Sequence, residues 1–320
     1  MSILKNKILN IDYDAEVARI TAMMKDYLRK VAHRRGYVVA ISGGIDSSVC
    51  ASLAVKAVGK DRVLLLRLPE SESSQETGDR SKILADYLDC ETIDQNITDV
   101  LAALGCYESR DNAIRELFPD YTDKWKNKIV IEGGLEGRYN HFNLVVQDPA
   151  GVTTTKRMEY RQYLQVVAAT NYKQRVRKTI EYYHADRSNY AVVGTPNLLE
   201  HDQGFFVKSG DGSADVKPIA HLYKSQVYAM AKHLGIPDDI RNARPTTDTY
   251  SLSQGQDEFY FALPYEKMDV ALWCYNQNVS SQELSGEIAI SPQQAEYVYT
   301  DIEIKRKMTR YLDMNPKVLL

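Results

Sequence analysis

The 320-residue sequence predicts an α/β protein built on a three-layer, doubly wound parallel sheet. Three observations lead to this class. A short apolar run, Tyr37–Ile41, continues through a glycine pair into a helical pattern. A second apolar run over 62–68 precedes a helical segment over 81–88, and a third, Tyr190–Val193, follows a helical segment over 170–183. Strands that alternate with helices in this way are typical of parallel sheets.

The elements follow in order along the chain. Residues 14–33 place apolar side chains at steps of three and four, which predicts an amphipathic helix ahead of the first strand. After the second strand, the polar, serine-rich stretch 69–79 is predicted as a loop. Because ligands bind beyond the carboxyl ends of parallel strands, this loop and residues 42–48 are expected on one rim, although 69–79 also fits an ordinary solvated loop.

The alternation of strands and helices stops over residues 106–165, which we interpret as an insertion with a small β-hairpin over 143–158. Beyond residue 267 the pattern is helical, with a helix-turn-helix over 280–288 and 292–311. Its acidic and basic residues balance, so a packing or dimer role is expected rather than DNA binding. The expected division is 1–105 and 166–267 for the two halves of the sheet domain, 106–165 for the insertion and 268–320 for the helical C-terminal extension.

Composition narrows the class of protein. The formal net charge is −3, with 44% hydrophobic and 26% charged residues, so nothing indicates a general affinity for nucleic acid. The four cysteines are widely spaced, and neither a zinc site nor a disulfide framework is suggested. The first ten residues lack the apolar run of a signal peptide, and no stretch is apolar enough for a membrane span. We therefore expect a cytoplasmic protein.

The first candidate site is the junction between the first strand and the next helix. Glycines there let the backbone approach a ligand closely, and the free N–H groups of the helix start favour an anion, most simply a phosphate. The alternative is an ordinary turn in which Asp46 or Ser47 only caps the helix. The residues of this junction are Ser42, Gly43, Gly44, Asp46, Ser47 and Ser48.

Two further stretches carry polar groups. The helix over 170–183 concentrates cations that are either a solvated face or a clamp for a carboxylate or phosphate, since guanidinium offers a bidentate fork. Its candidates are Asn171, Lys173, Arg175 and Arg177. The strand after it leads into Gly194–Glu200, a second polar junction at a strand end.

These stretches resemble a known family. Residues 42–48 are similar to the SGGxDS pyrophosphate loop of the ATP pyrophosphatase superfamily, and they lack the Gly-Lys-Ser/Thr ending of a P-loop. Residues 170–265 resemble the NAD synthase family, whose adenine nucleotide alpha hydrolase-like fold is then expected here. The matching pieces are Asn171-x-Lys173-x-Arg175-x-Arg177, Gly194-Thr195 with Glu200, the stretch from Gly204 to Asp215, Pro218-Ile219, Leu222-x-Lys224-x-Gln226, Leu234 to Pro237, Pro245-Thr246-x-Asp248 and Gln256-Asp257-Glu258.

The resemblance implies an ammonia-dependent enzyme that uses ATP and Mg²⁺ to amidate nicotinic acid adenine dinucleotide, with release of AMP and pyrophosphate. It implies Asp46 and Glu200 as Mg²⁺ ligands. It implies that the loop at 42–48, Thr195, Lys224 and Thr246 bind ATP. It assigns the catalytic and substrate-binding roles to Asp46, Asn171, Lys173, Arg175, Arg177, Lys208, Asp215 and Lys224.

Taken singly, several of these residues have structural alternatives. Glu200 fits a surface acid beside a helix cap, Asp211 and Asp215 fit turn formers, and Lys224 fits a solvated helix charge. Departures from the family pattern, such as Pro245-Thr246-Thr247-Asp248-Thr249, leave other functions open. They are a related carboxylate-amine ligase acting on another acid, a tRNA-thiolating enzyme and a non-catalytic adenine-nucleotide sensor.

The chain offers no room for a glutaminase domain, so ammonia is expected free or from a separate protein such as a glutaminase. A homodimer is expected because the family builds its dinucleotide pocket across a dimer.

Overall fold

The computed structural model describes residues 3–132, 141–244, 249–255, 260–261 and 263–319. In this part of the chain, a main sheet of four parallel strands has the order β3-β2-β1-β7, and a second, antiparallel sheet has the order β4-β5-β6. The strands are β1 Tyr37–Ala40, β2 Val63–Arg67, β3 Glu91–Asp94, β4 Lys126–Glu132, β5 His141–Gln147, β6 Thr153–Arg157 and β7 Ala191–Val192.

Helices connect the strands and follow the last of them. A π-helical segment, Tyr27–Ala32, continues α2, where a regular helix was expected up to residue 33. The helices are α1 Ile3–Leu9, α2 Tyr13–Asp26, α3 Ile45–Val58, α4 Gln75–Leu88, α5 Thr98–Ala103, α6 Cys106–Arg115, α7 Tyr160–Ser188, α8 Leu198–Gln203, α9 Lys224–His233, α10 Asp238–Arg241, α11 Tyr265–Asn276, α12 Ser281–Ile288 and α13 Pro292–Leu312. None of these helices is apolar over a length that would cross a bilayer.

The order of the main sheet places its switch point beside β1. Tyr37 pairs with Val63 of β2 on one side and with Ala191 of β7 on the other. The chain passes from β1 through α3 to β2, whereas β7 joins the opposite edge of β1 only after α7. Loops that leave β1 and β7 therefore diverge, and such a point is where open α/β sheets bind ligands.

Alternate side chains of the strands bury both faces of the main sheet. Val39 and Leu65 pack with α2, α3, α4 and α9 on one face. Val38 and Leu64 pack with α5, α6 and α7 on the other. Two helical layers around one parallel sheet confirm the predicted three-layer fold. The strand β3 was not predicted. It lies at the sheet edge, its side chains are half-buried or exposed, and it therefore has no apolar run in the sequence.

The second sheet contains the predicted hairpin. β5 and β6 pair from Asn143 opposite Arg157 to Gln147 opposite Thr153, so the hairpin over 143–158 is confirmed. β4 extends the sheet, and Ile129 and Leu144 pack against α6 and α7 in a separate apolar cluster. Neither β4 nor α6 was predicted from the sequence. The proposed division of the chain into domains stays a prediction.

The helix α7 joins the two sheets. It spans 29 residues, of which the predicted segment over 170–183 is the middle. Glu159 and Gln162 form a capping box at its start, where the Glu159 backbone N–H donates to Gln162 Oε1 at 3.1 Å. Asn189, at φ 56°, ends it in the left-handed conformation that closes many helices.

The C-terminal helices form a layer of their own. Ser280 and Ser291 cap α12 and α13, so the predicted helix-turn-helix is confirmed within a residue at each end. Their apolar side chains bury Ile8 of α1 and Leu199 of α8. Arg306 of α13 binds Asp202 of α8 through Nε and Nη2. The extension thus packs on α1 and α8, while a dimer role stays a prediction.

Candidate active site

A cavity of about 1340 Å³ opens at the carboxyl ends of β1, β2 and β7. It lies at the switch point of the sheet and exceeds the size of most small-molecule pockets, which suits a site for two nucleotides. Most of the residues singled out in the sequence line it, namely Ser42, Gly43, Gly44, Asp46, Ser47, Asn171, Arg175, Arg177, Thr195, Glu200, Lys208 and Lys224.

The loop between β1 and α3 has the shape of an anion cradle. Gly43 adopts φ +74°, and a Cβ there would lie 2.7 Å from the Thr77 carbonyl oxygen and 2.8 Å from the Ser81 nitrogen. Gly44 is the N-cap of α3 and has no side chain to bond the first N–H groups of the helix. The loop is held by its own serines, since Gly44 N donates to Ser42 Oγ at 3.3 Å and Ser47 Oγ donates to the Gly44 carbonyl at 3.0 Å. The first turn of α3, whose N–H groups receive no bond from a capping side chain of Gly44, therefore lies at the cavity wall.

Asp46 and Lys224 meet across this loop. Lys224 is the first residue of α9, its side chain is 2% exposed, and its ammonium binds Asp46 Oδ2. Asn197 Nδ2 donates to Asp46 Oδ1 at 3.1 Å. Burial disfavours the charged ammonium, but Asp46 and Glu200 outweigh that cost and raise the pKa of Lys224 above its ordinary value. The lysine is therefore a buried, fixed positive charge and not a solvated helix residue.

Glu200 combines a structural and a cavity-lining position. It is the third residue of α8, and it exchanges hydrogen bonds with Asn197, whose backbone N–H donates to Glu200 Oε2 at 3.1 Å. Glu200 therefore has the position beside a helix cap that the sequence offered as its structural alternative. Glu200 also lines the cavity together with Thr195, and its charge acts on Lys224. Among the described residues, no group of three or more histidine, cysteine or carboxylate side chains could hold a metal ion alone.

The cations of α7 divide into two sets. Asn171, Arg175 and Arg177 line the cavity. Arg177 Nε donates to the Leu68 carbonyl at 3.2 Å and Arg175 Nε to the Lys208 carbonyl at 3.3 Å, which orients both guanidinium groups. Lys173 lies outside the cavity lining and is almost completely buried.

The end of α13 forms part of the cavity wall. Lys208 Nζ donates to the Tyr311 carbonyl at 2.7 Å and lies 4.1 Å from the centre of the Tyr311 ring. Met308, Thr309 and Leu312 line the cavity beside it. The sequence assigned the extension only a packing or dimer role, because nothing local links residue 208 to residues a hundred positions later.

Three candidates are placed elsewhere, and one is not described. Ser48 is buried beneath the loop, where its Oγ donates to the Gly44 carbonyl at 2.8 Å. Asp215 is exposed and accepts a hydrogen bond from the Val192 N–H at 2.7 Å, so it anchors β7 outside the cavity of this chain. Lys173 is bound in a buried charge cluster. Thr246 lies outside the described residues.

The structure adds buried charges that sequence reasoning left out of the site. Lys178 Nζ lies 2.7 Å from Glu181 Oε2, and both line the cavity together with Asp211. Burial raises the pKa of Glu181 and of Asp211 above their ordinary values. A lysine and a glutamate three positions apart in the predicted helix were the available signal.

Asp269 of α11 holds the helix that begins with Lys224. Its two carboxylate oxygens accept from the backbone N–H groups of Lys224, at 3.2 Å, and Ser225, at 2.7 Å. Burial raises its pKa to about 6, although the hydrogen bonds from Ser225 and Lys224 and the Lys224 charge lower it. An acid on another helix thus caps α9 and fixes the start of the helix that carries Lys224.

This raised pKa predicts a pH dependence of stability. Because folded Asp269 binds a proton more tightly than the unfolded residue, its contribution to the free energy of unfolding falls as pH rises from about 4 to 6. The free energy of unfolding of the wild type minus that of Asp269→Asn should decrease by about 3 kcal/mol over this range. Urea unfolding of both proteins at pH 4 to 7 tests this, and parallel pH curves would contradict it.

Comparisons with known proteins show which family the chain belongs to. The model of the NAD synthase family matches residues 16–119 and 138–310. The NH(3)-dependent NAD(+) synthetase of Rhizobium meliloti (strain 1021) is 54% identical over 312 residues, covering 97% of this chain and 93% of that protein. The NH(3)-dependent NAD(+) synthetase of Thermotoga neapolitana is 33% identical over 301 residues, covering 91% of this chain and 95% of that protein.

A solved structure gives the same result for the fold. The NH3-dependent NAD synthetase from Campylobacter jejuni superposes with a TM-score of 0.63 at 19% identity, covering 97% of this chain and 100% of that one. The family model and the relatives name one family. The chain belongs to the NAD synthase family.

Proposed function

We infer that the chain is a ligase that uses ATP to amidate nicotinic acid adenine dinucleotide with ammonia, giving NAD, AMP and pyrophosphate through an acyl-adenylate. The observation that carries this inference is the anion cradle of Gly43 and Gly44 with Asp46 and Lys224 in the same cavity. The relatives bear the name of this activity over nearly the whole chain.

The chemistry explains why such a site is needed. A carboxylate is a poor electrophile, and transfer of AMP onto it creates a mixed anhydride that ammonia can attack. The difficulty is to bring a polyphosphate and a carboxylate together, so fixed positive charge and exact positioning supply most of the catalysis. We assign the N–H groups at the start of α3, with Ser42 and Ser47, to the β- and γ-phosphates that leave as pyrophosphate.

Lys224 stabilises the charge that develops at the α-phosphate. Its ammonium is already buried and paired with Asp46, so little reorganisation is needed when the phosphates bind. We assign Thr195, and Thr246 from the sequence, to hydrogen bonds with ATP. Lys208 and the guanidinium groups of Arg175 and Arg177 neutralise the acid substrate and its phosphates, with Asn171 beside them.

Mg²⁺ fits the oxygen donors of this cavity. Asp46 and Glu200 both line it, and Mg²⁺ is typically bound through one or two carboxylates together with water and substrate phosphates. We propose these two residues as its protein ligands. The ion would neutralise phosphate oxygens and so lower the cost of attack by the carboxylate.

Asp215 keeps its predicted role without support from the cavity of a single chain. In a homodimer, which we also propose, a residue outside one cavity can reach the partner's site. Tyr160, whose exposed fraction is 73%, and Leu164, at 45%, lie on the cavity rim and favour a covering surface. Sedimentation velocity of the purified protein tests the dimer.

We also place the enzyme in the cytoplasm, where its nucleotides are available.

The other functions receive less support. A ligase for another acid would keep the ATP site, but the relatives match through the acid-binding helix α7 as well. A non-catalytic sensor would not need the buried Asp46–Lys224 pair. Thiolation of tRNA would call for paired cysteines, and all four cysteines of this chain are free.

The test is an assay of purified protein with ATP, Mg²⁺, ammonium and nicotinic acid adenine dinucleotide. NAD, AMP and pyrophosphate should appear in equal amounts, and nothing should form when ammonium is omitted. Pyrophosphate released only with a different acid would overturn the substrate but keep the adenylation. Binding of ATP without turnover across a panel of acids would favour the sensor.

A further inference from the structure

A buried cluster of charges lies behind the cavity, between α7 and the loop that follows β2. Lys173 is its centre, with a side chain that is 2% exposed against a Glu70 side chain that is 0% exposed. Its ammonium lies 2.9 Å from Glu70 Oε1 and 2.6 Å from Glu72 Oε2. Ions buried to this extent persist only when they are paired, so the three side chains hold one another in place.

The cluster continues into α6. Arg110 Nη1 lies 2.6 Å from Glu72 Oε1, and its Nη2 lies 2.8 Å from Asp111 Oδ1. The Tyr107 hydroxyl donates to Glu70 Oε2 at 2.7 Å. Each carboxylate of the loop is therefore fixed from two helices at once.

Lys173 makes one more bond, to the backbone on the opposite side. Its ammonium donates to the Thr249 carbonyl at 3.1 Å. Glu70, Thr249 and Tyr250 all line the cavity, as do neighbours of Lys173 on α7. One ammonium thus ties together three separate walls of the same cavity, although it does not line the cavity itself.

We propose that Lys173 is a positioning residue for ATP: it fixes the loop after β2 and the Thr249 backbone against α7, and so sets the width of the nucleotide site. This assignment rests on the proposed function. It replaces direct substrate contact, which the sequence suggested for Lys173, by an action through Glu70, Glu72 and Thr249.

Only one helix, α4, separates the loop after β2 from the loop that is proposed to bind the phosphates. The loop that carries Glu70 runs directly into α4, whose N-cap is Ser74. Gly43 lies in the loop between β1 and α3, residues 42–47, which we call the phosphate loop. This residue packs so closely on α4 that a Cβ would meet the α4 backbone at Thr77 and Ser81. A shift of the loop after β2 therefore moves the surface on which the phosphate loop rests. Displacements of this kind, of about 1 Å, can cost about 10²-fold in activity.

The test compares Lys173→Met with the wild type in steady-state NAD synthesis. Methionine fills the space of the lysine stem but removes the charge and the bond to Thr249. We expect the KM for ATP to rise about tenfold or more, while kcat at saturating ATP stays within about threefold. A KM within about twofold of wild type would overturn the proposal. A wild type that makes no NAD would instead overturn the proposed function.

Two further variants separate positioning from general loss of stability. Lys173→Met with Glu70→Gln removes one positive and one negative charge, so the thermal midpoint should recover while the KM for ATP stays raised. Recovery of both together would show a purely structural role and overturn the proposal. If Lys173→Met alone does not fold, the KM for ATP is measured on this double variant instead. Leu284→Ala, in the buried cluster of the C-terminal helices, serves as the control: it should lower the thermal midpoint and leave the KM unchanged.

Discussion

Replacing Asp46 by asparagine is expected to lower kcat/KM for NAD synthesis by about 10³-fold. The carboxylate pairs with the Lys224 ammonium and is a proposed Mg²⁺ ligand, and asparagine keeps its shape but not its charge. Steady-state kinetics with ATP and nicotinic acid adenine dinucleotide measure the loss. A folded variant with activity within about tenfold of wild type would remove Asp46 from the chemistry.

The same substitution should also affect stability, which calls for a control. Lys224 is buried, and removing its partner leaves an uncompensated charge at a cost of about 3–5 kcal/mol, reduced by the nearby Glu200. Adding Lys224→Met removes that charge. The double variant should regain thermal stability without regaining activity, which separates the catalytic loss from unfolding.

Substituting Gly43 by alanine should reduce kcat/KM by about 10²-fold, mostly through weaker ATP binding. The residue has φ +74°, and the new Cβ would lie 2.7 Å from the Thr77 carbonyl oxygen and 2.8 Å from the Ser81 nitrogen, both in backbone that is slow to yield. The phosphate loop must therefore move away from α4. Calorimetric titration with ATP, next to the activity assay, measures both effects.

Gly44→Ala is the matched comparison. Gly44 has φ −82°, and a Cβ would lie 3.2 Å from Ser42 Oγ, a side chain that can rotate. The loss of kcat/KM in Gly44→Ala should be at least about tenfold smaller than the loss in Gly43→Ala. Equal losses in the two variants would mean that the glycines are needed for ligand access alone and not for the packing of the loop on α4.

Much of the site was readable from the sequence because its signals are local. Strand, glycine pair and helix over residues 37–58 are neighbours in the chain, so both the cradle at 42–47 and its anion preference followed from elementary rules. The second polar junction, at 194–200, was readable for the same reason. Parallel strands then bring the two junctions to one edge of the sheet.

The helical period limits how far the cations of α7 can act as one set. Asn171, Lys173, Arg175 and Arg177 were predicted as one set because they alternate with other residues, but two residues turn an α-helix by about 200°. By this period Asn171 and Arg175 share one side of α7 and Lys173 and Arg177 share another, so the four residues do not form a single face. Lys173 faces the buried carboxylates of Glu70 and Glu72, whereas the others reach the cavity.

Other features depend on contacts between distant parts of the chain. The bond from Lys208 to Tyr311 and the Asp269 cap on α9 join residues that no local pattern connects. Burial of Lys224 likewise depends on how α3, α8 and α9 meet. Such features come from the packed fold, which is why a solvated helix charge and a buried, paired lysine looked alike in the sequence.

The length of α7 links the two sheets in a way that restricts how the protein can vary. Its 29 residues span about 43 Å, and within them Tyr163 stacks on Phe142 at the second sheet and Ala185 packs beneath the main sheet. Inserting one residue before Asn171 would rotate every later side chain by about 100° relative to the second sheet. Length changes between related chains are therefore expected in the β5–β6 turn and not in this helix, whose rotational phase aligns the second sheet and the cavity-lining side chains together.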